Sequence, residues 1–257
     1  MSFGSEKMYH IGLDANDVEG AKYAILPGDP GRVEKIAAML ENAKPLAVNR
    51  EYTSYLGTIA GEKVLVMSTG MGGPSTAIGV EELTQIGINT MIRVGTSGGM
   101  QMDVLPGDVA VISGAIRQEG TSKEYTPIEY PALADLDVTL ALREAAKEIG
   151  FNWHVGVAHC KDSFYGQHSP ESMPVGSELL YKWDAWIKAG ALVSEMETAA
   201  LYTVASVRRV RAGAVMLVMW NQERAKAGLP QERCHETERP IRVAIKAIEK
   251  LIEQDKK

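Results

Sequence analysis

Through roughly the first hundred residues, short apolar runs alternate with glycine turns and segments of helical spacing. Tyr23-Ala24-Ile25-Leu26 leads into Pro27-Gly28-Asp29-Pro30, and Arg32 to Leu40 follows with Val33, Ile36, Ala37 and Leu40 on one helical face. Val64-Leu65-Val66-Met67 leads into Gly70-Met71-Gly72-Gly73-Pro74. Ser75 then stands where it can cap a helix carrying Ile78, Leu83 and Ile86. Ile88 to Val94 reads as a third apolar run, ending in the glycine-rich stretch Gly95 to Gly99, which reads as a turn. Alternation of this kind predicts an α/β fold around a central sheet, with ligands at the carboxyl ends of the strands.

The later pattern is less regular. Val109 to Ile112 predicts a strand, 127–137 a loop, Val138 to Ile149 a helix and Val155 to His159 a short strand. Residues 166–176 contain two prolines, two glycines and three hydroxyl or amide side chains, which predicts a long, functional loop. A helix over Ser194 to Ala205, a buried strand over Ala214 to Met219 and an amphipathic helix over Glu238 to Glu253 complete the chain. With no linker and no fixed-period repeat, residues 1–257 read as one domain.

Composition narrows the function. The 257 residues are 45% hydrophobic and 23% charged, with a formal net charge of -6, which argues against a nucleic-acid surface. Two cysteines do not make a disulfide framework. The polar start, Met1 to Lys7, has no apolar core of a signal peptide, and no apolar run approaches the ~18 residues of a membrane span. A cytoplasmic location is the expectation.

Candidate chemistry centres on three arginines read as lying just past apolar runs, each beside glycine or a turn: Arg32, Arg50 and Arg93. Guanidinium forks and bare backbone N–H groups suit a phosphate or carboxylate dianion. Other motifs fit less well. Gly70 to Ser75 departs from G-x-G-x-x-G, and no acid follows about 20 residues on, so a dinucleotide is disfavoured. Gly95-Thr96-Ser97-Gly98-Gly99 matches G-x-S-x-G, but the helix that a nucleophile elbow requires does not follow; a turn offering the Thr96 hydroxyl and N–H groups to an anion fits better. His154, His159 and Cys160 match no zinc spacing. Glu195-Met196-Glu197 reads either as helix N-terminal charge or as carboxylates for sugar hydroxyls.

Taken in order, Pro27-Gly28-Asp29-Pro30 with Arg32, Asn49-Arg50-Glu51, Ser68 to Ser75, Arg93-Val94-Gly95-Thr96, Phe164-Tyr165-Gly166-Gln167 and Glu195-Met196-Glu197 resemble the nucleoside phosphorylase-I superfamily, across nearly the whole chain from His10 onward. The resemblance implies a single-domain, three-layer α/β/α fold with a mixed, partly barrel-like central sheet. It implies phosphorolysis of a nucleoside to a free base and a pentose 1-phosphate, with inorganic phosphate as cosubstrate and no cofactor. Phosphate would be held by Gly28, Arg32, Arg93 and Thr96, with Arg50 from a neighbouring subunit. Glu197 and Met196 would meet the sugar, as would His10 of the neighbour. Phe164, Gln167 and Gly98 would meet the base, and Glu51 resembles a residue that holds a monovalent cation, potassium, between subunits. Arg93, Glu197, Gln167 and His168 form the expected catalytic set. A homo-oligomer follows, dimeric in its unit and hexameric in many relatives.

Purine-acting relatives resemble one another in an aspartate after the late apolar strand, placed to protonate the base. This chain has Trp220-Asn221-Gln222-Glu223 there, without that aspartate, so a pyrimidine nucleoside such as uridine is expected; Glu223, two residues on, keeps a purine phosphorylase or nucleosidase as the alternative, beside a non-catalytic nucleoside-binding protein. Relatives also carry Gln-x-Arg at the base edge. Here the sequence is Gln167-His168-Ser169, and His168 is expected to supply the missing donor.

Overall fold

The computed structural model describes residues 6–257; residues 1–5, part of the polar start read above, lie outside the described residues. Ten strands form one sheet: β1 (Tyr23–Pro27), β2 (Glu41–Asn49), β3 (Tyr52–Ile59), β4 (Glu62–Met67), β5 (Thr90–Gly99), β6 (Val109–Gln118), β7 (Ala132–Leu133), β8 (Trp153–Lys161), β9 (Val193–Glu195) and β10 (Arg211–Asn221). The helices are α1 (Val33–Ala37), α2 (Gly73–Gln85), α3 (Leu136–Ile149), α4 (Phe164–His168), α5 (Gly176–Lys188), α6 (Thr198–Arg208), α7 (Gln222–Lys226) and α8 (Glu238–Asp255).

The apolar runs are continuous because helices cover the sheet on both faces. On β1, Ala24 and Leu26 join one core with Leu83 and Val80 of α2 and Leu201 and Tyr202 of α6. Tyr23 and Ile25 point the other way, into a core built with Ile36 of α1, Leu142 of α3 and Ile248 of α8. The β4 residues divide in the same way, Leu65 and Met67 against Val64 and Val66. This is the expected three-layer α/β/α arrangement.

Strand pairing makes the sheet barrel-like in one half. β5 pairs β10, β10 pairs β6, β6 pairs β8, β8 pairs β9, and β9 returns to β5. The other half runs open from β5 through β1, β4 and β3 to β2. At the junction β5 changes partner on one edge. It pairs β1 only as far as Val94, and β9 only from Gly98. Gly95, Thr96 and Ser97 therefore have no strand beside them on that edge. The gap lies at the carboxyl end of a parallel strand, where open α/β sheets hold their ligands.

Several elements differ from the sequence reading. Gly95–Gly99 is not a turn but the last half of β5, paired throughout with β10. Arg93 is consequently inside a strand rather than past its end, and Ser97 donates to the Leu217 carbonyl at 3.2 Å instead of standing on an elbow. Ser75 does not cap α2. The helix starts beyond Gly72, at φ 92°, and the Ser75 hydroxyl donates back to Met71 and Gly72 carbonyls. Ser194 and Glu195 belong to β9, and α6 begins only at Thr198. The stretch 127–137 includes the two-residue β7 and the start of α3, which Asp135 caps through the Val138 N–H. Residues 166–176 are mostly short helical turns, and α5 directly after them had no counterpart in the apolar pattern.

Asn221 shows how strand β10 is locked to its surroundings. Fully buried, it donates to the carbonyls of Gln101 and Val104 at 2.7 and 2.8 Å, and its oxygen caps α7 through the N–H groups of Glu223 and Arg224. Asn221→Ala leaves these groups unpartnered. The expected cost is about 1–3 kcal/mol, read as a lowered denaturation midpoint with an unchanged denaturant slope.

Candidate active site

Arg93 is the centre of the site. β5 carries its side chain to the face covered by α6, where it is 5% exposed between two carboxylates. Its Nε donates to Glu195 at 3.3 Å, and its Nη2 makes a short contact with Glu197. Glu195 ends β9 and also accepts from the N–H groups of Glu197 and Thr198, the first donors of α6. Burial opposes both charges. For Arg93 the two carboxylates outweigh it, so its pKa is raised. For Glu195 the guanidinium and the helix N–H groups outweigh it, so its pKa is lowered. Of the two readings of Glu195-Met196-Glu197, Glu195 fits the helix-terminal charge, while Glu197 meets Arg93 Nη2 and the Gly72 N–H.

One donor of Arg93 is left over. Nη1 is buried and has no hydrogen-bond partner among the described residues. It points toward Gly28, just past β1. A β-carbon on Gly28 would stand 3.6 Å from Arg93 Nη1, 3.8 Å from Arg32 Nη2 and 3.1 Å from the Gly70 carbonyl. Glycine here lets two guanidiniums and the Gly70 turn close on one spot. Arg32 is largely buried. Burial first, and the neighbouring Arg93 charge second, lower its pKa, while its carboxylate neighbour Asp29 is 3.9 Å away. Two guanidiniums side by side with a spare buried donor are suited to an oxyanion. Thr96 lies in the stretch of β5 that has no strand on one edge, and the Gly72 N–H donates to Glu197 at 2.6 Å. The Gly70–Ser75 turn therefore lines this place instead of only linking strand to helix.

On the other side of Glu195 lies a cavity of about 310 Å³ walled by Gln118, His159, Lys161, Gln167, His168 and Trp183, among others. α4, capped by Ser163 through the Gly166 N–H, projects Gln167 and His168 into it. Gln167 meets Ser194 at 2.7 Å and Gln222 at 3.2 Å. Phe164 is 51% exposed, with its ring 4.4 Å from that of His168. Gly98 pairs Ser194 across the β5–β9 ladder. Burial, then the charges of Lys161 and Arg233, lower the His168 pKa, so the imidazole is neutral near pH 7. A cationic His168 is disfavoured; a neutral ring with one N–H remains a donor.

His10 and Arg50 do not join Arg32 and Arg93 within the protomer. Arg50 stands at φ 55° on the β2–β3 hairpin, 5.5 Å over the Tyr9 ring. Its neighbour Asn49 donates to the carbonyls of Tyr9 and His10. His10 is held by Glu82 at 2.6 Å. Glu51 packs against Gly70. The two outlying residues thus share one surface cluster of their own. His154 pairs with Asp108, His159 lies beside Ser194 and Gln118, and among the described residues no three metal-binding side chains gather. Glu223, the acid nearest the end of β10, is engaged by Trp183 and Lys226, both at 2.8 Å.

The sequence reading missed Lys161, Gln118 and Ser194, and weighed His159 only as a metal ligand. A lysine closing a strand that carries His154 and His159 among apolar residues, just before the Ser163 cap, was the one available signal for Lys161. Burial, then Lys161, pushes the His159 pKa down to about 3, so this ring is neutral and structural in its bonding.

Comparison with known proteins places the chain in a family. The family model for the phosphorylase superfamily matches residues 22–253. A uridine phosphorylase of Treponema pallidum is 55% identical over 253 residues, covering 98% of this chain and 97% of its own length. A uridine phosphorylase of Escherichia coli K12 is 42% identical over 250 residues, covering 95% and 98%. A guanosine phosphorylase of Halorubrum lacusprofundi is 38% identical over 252 residues, covering 95% and 99%. On its matching residues, its sheet and these full-length likenesses, the chain belongs to the phosphorylase superfamily.

Proposed function

We propose that this protein catalyses the reversible phosphorolysis of uridine, and of deoxyuridine or thymidine where the pocket admits them, to the free base and a pentose 1-phosphate. The observation that carries the reading is the unpartnered, buried Nη1 of Arg93, facing Gly28 beside Arg32 at the gap in β5. Phosphate binds there through Gly28, Arg32, Arg93 and Thr96. The sugar lies over Glu197 and Met196, its hydroxyls donating to the Glu197 carboxylate. The base enters the neighbouring cavity beside Phe164, Gln167, His168 and Gly98. The uridine phosphorylases of Treponema pallidum and Escherichia coli support uridine as the nucleoside.

The chemistry follows from placement. As the glycosidic bond stretches, the sugar becomes electron-poor at C1′. A phosphate dianion fixed beneath it is both nucleophile and compensating charge, and holding it there makes the step effectively unimolecular. The base leaves with the bonding electron pair, so donors at its oxygens stabilise the transition state more than the ground state. No enzyme nucleophile is needed. At the end of β10 no free acid stands ready to protonate N7 among the described residues, since Asn221 is committed to the carbonyls of Gln101 and Val104 and Glu223 to Trp183 and Lys226.

The surface cluster of Arg50 and His10 serves the site of a second copy, Arg50 reaching phosphate and His10 the 5′-hydroxyl. The assembly is a homo-oligomer with a dimeric unit, hexameric when complete, and Glu51 holds a potassium ion between subunits. The chain acts as one domain in the cytoplasm. Unpaired Cys160 and Cys234 fit a reducing compartment, and no helix among the described residues is long and apolar enough to cross a membrane.

Three outcomes are expected. Ultraviolet monitoring shows uracil released from uridine only when phosphate is present, and Arg93→Ala lowers kcat/KM for phosphate by at least about 10-fold, from the loss of charge-assisted bonds of about 1.5–3 kcal/mol each; release without phosphate, or an unchanged phosphate dependence, rejects the reading. Mixing Arg50→Ala and Arg93→Ala proteins, each impaired alone, after partial dissociation restores part of the lost activity, because hybrid dimers contain one site with both arginines; no recovery shows that the site is not shared. His168→Ala costs about 2- to 10-fold in kcat/KM for uridine, the scale of a neutral hydrogen bond of about 0.5–1.5 kcal/mol. Because the His168 pKa is lowered, its donor is present above that pKa, so kcat/KM does not fall as pH rises from 6 to 8 on account of this residue. A fall that His168→Ala removes contradicts a neutral donor.

A further inference from the structure

The wall of the cavity holds one deeply buried cation that the roles above do not use. Lys161 closes β8 and is 7% exposed. Its Nζ donates to Ser194 Oγ at 2.8 Å and to the Glu195 carbonyl at 3.3 Å. An ammonium has three donors and no acceptor, so one N–H remains beyond these two partners. Lys226 also lines the cavity, but it is half exposed and paired with Glu223. Removing an ammonium from water is costly, and two neutral partners with no direct carboxylate contact only partly offset that cost. A buried, incompletely satisfied cation in a ligand cavity is a candidate for acting on the ligand.

Its position relative to Arg93 defines what it would act on. Glu195 stands between them, its carboxylate on Arg93 Nε and its carbonyl on Lys161 Nζ. Arg93 serves the oxyanion end of the site; Lys161 shares its wall with Gln167 and His168, at the other end. We propose that Lys161 is a catalytic residue that donates a charge-assisted hydrogen bond to a carbonyl oxygen of the departing base. This rests on the phosphorolysis reading above. As the C1′–N1 bond breaks and the C1′–O bond to phosphate forms, the electron pair of N1 spreads onto the pyrimidine carbonyl oxygens. The Lys161 ammonium meets that charge, and the freed base takes its proton from solvent. The role otherwise missing with the base-edge arginine is thereby filled from the strand instead of the loop. The same donor selects keto bases, because an exocyclic amino group would oppose N–H with N–H.

The ammonium must stay charged to act. Burial is the largest influence and lowers the Lys161 pKa; Glu195, Cys160 and Glu197 oppose that from β9, β8 and the start of α6. His159 on β8 and His168 on α4 also face it, both neutral near pH 7, and Asp162, Glu171 and Lys226 lie farther along the same wall. The protonated form is the active one, so activity attributable to Lys161 falls as pH rises through a pKa below 10.5.

The test compares Lys161→Met and Lys161→Gln with the wild type on uridine and 5-fluorouridine, whose base leaves more easily as an anion. Loss of one preorganised donor lowers kcat for uridine by roughly 10²–10³-fold. The phosphate KM should hold within about two-fold, and the loss should be several-fold smaller with 5-fluorouridine. Equal losses on the two substrates, or none, overturn the assignment while leaving the phosphorolysis reading intact. A wild type inert toward uridine and phosphate overturns both. Should neither variant fold, the wild type still decides: across 5-substituted uridines its rate depends weakly on the acidity of the leaving base, and a steep dependence overturns the assignment.

Discussion

A guanidinium held dry between two carboxylates organises this molecule. Arg93 lies inside a strand, where its charge would be untenable alone, and Glu195 and Glu197 make it tenable. The same contacts fix more than one charge. Glu195 takes up the first N–H groups of α6, so the ion pair also sets where that helix begins. Glu197 takes the Gly72 N–H, which ties the start of α2 to the start of α6. One electrostatic knot therefore joins β5, β9 and two helices of the same layer. It also leaves one guanidinium donor, the buried Nη1, without a partner among the described residues.

The sheet supplies the space. A strand that changes neighbours must have a stretch with no neighbour on one side, and in β5 that stretch is Gly95 to Ser97. Barrel closure on one side and an open sheet on the other place the gap where the Gly28 and Gly70 turns meet. Glu195 then divides the site into an arginine end and a cavity end. The arrangement matches a substrate with an anion to be delivered, a sugar to be held and a base to be released. Arg50 and His10 share one surface cluster of their own, ordered by Asn49 and Glu82.

Local chemistry reaches the sequence wherever one segment suffices. Burial on both faces of the sheet demands uninterrupted apolar runs, so β1, β4 and β10 were legible, as were α3 and α8 from their spacing and an α/β fold around a central sheet from the alternation; the three layers came from the family resemblance. The arginines and the two carboxylates stood out as residue types, and Asn221 as an amide where an acid could have been. The Gly95–Gly99 stretch misled because glycine marks turns in isolation, whereas here it lets a strand run on beside Arg93 and Met216. Likewise, Ser194 and Glu195 read as helix because the strand that pairs them is remote in the chain.

Only the tertiary structure decided which charges meet. Arg93 finds Glu197 across more than a hundred residues, and Arg32 and Arg93 converge because a parallel sheet sets the end of β1 beside the middle of β5. Lys161 lay beyond the strand read over Val155 to His159; the closed half of the sheet buries it against Ser194. Periodicity and composition record what each segment needs from its surroundings, apolar or polar. They carry no record of partner identity, because electrostatic pairing depends on distance in space, and distance in space is fixed only when the strands close.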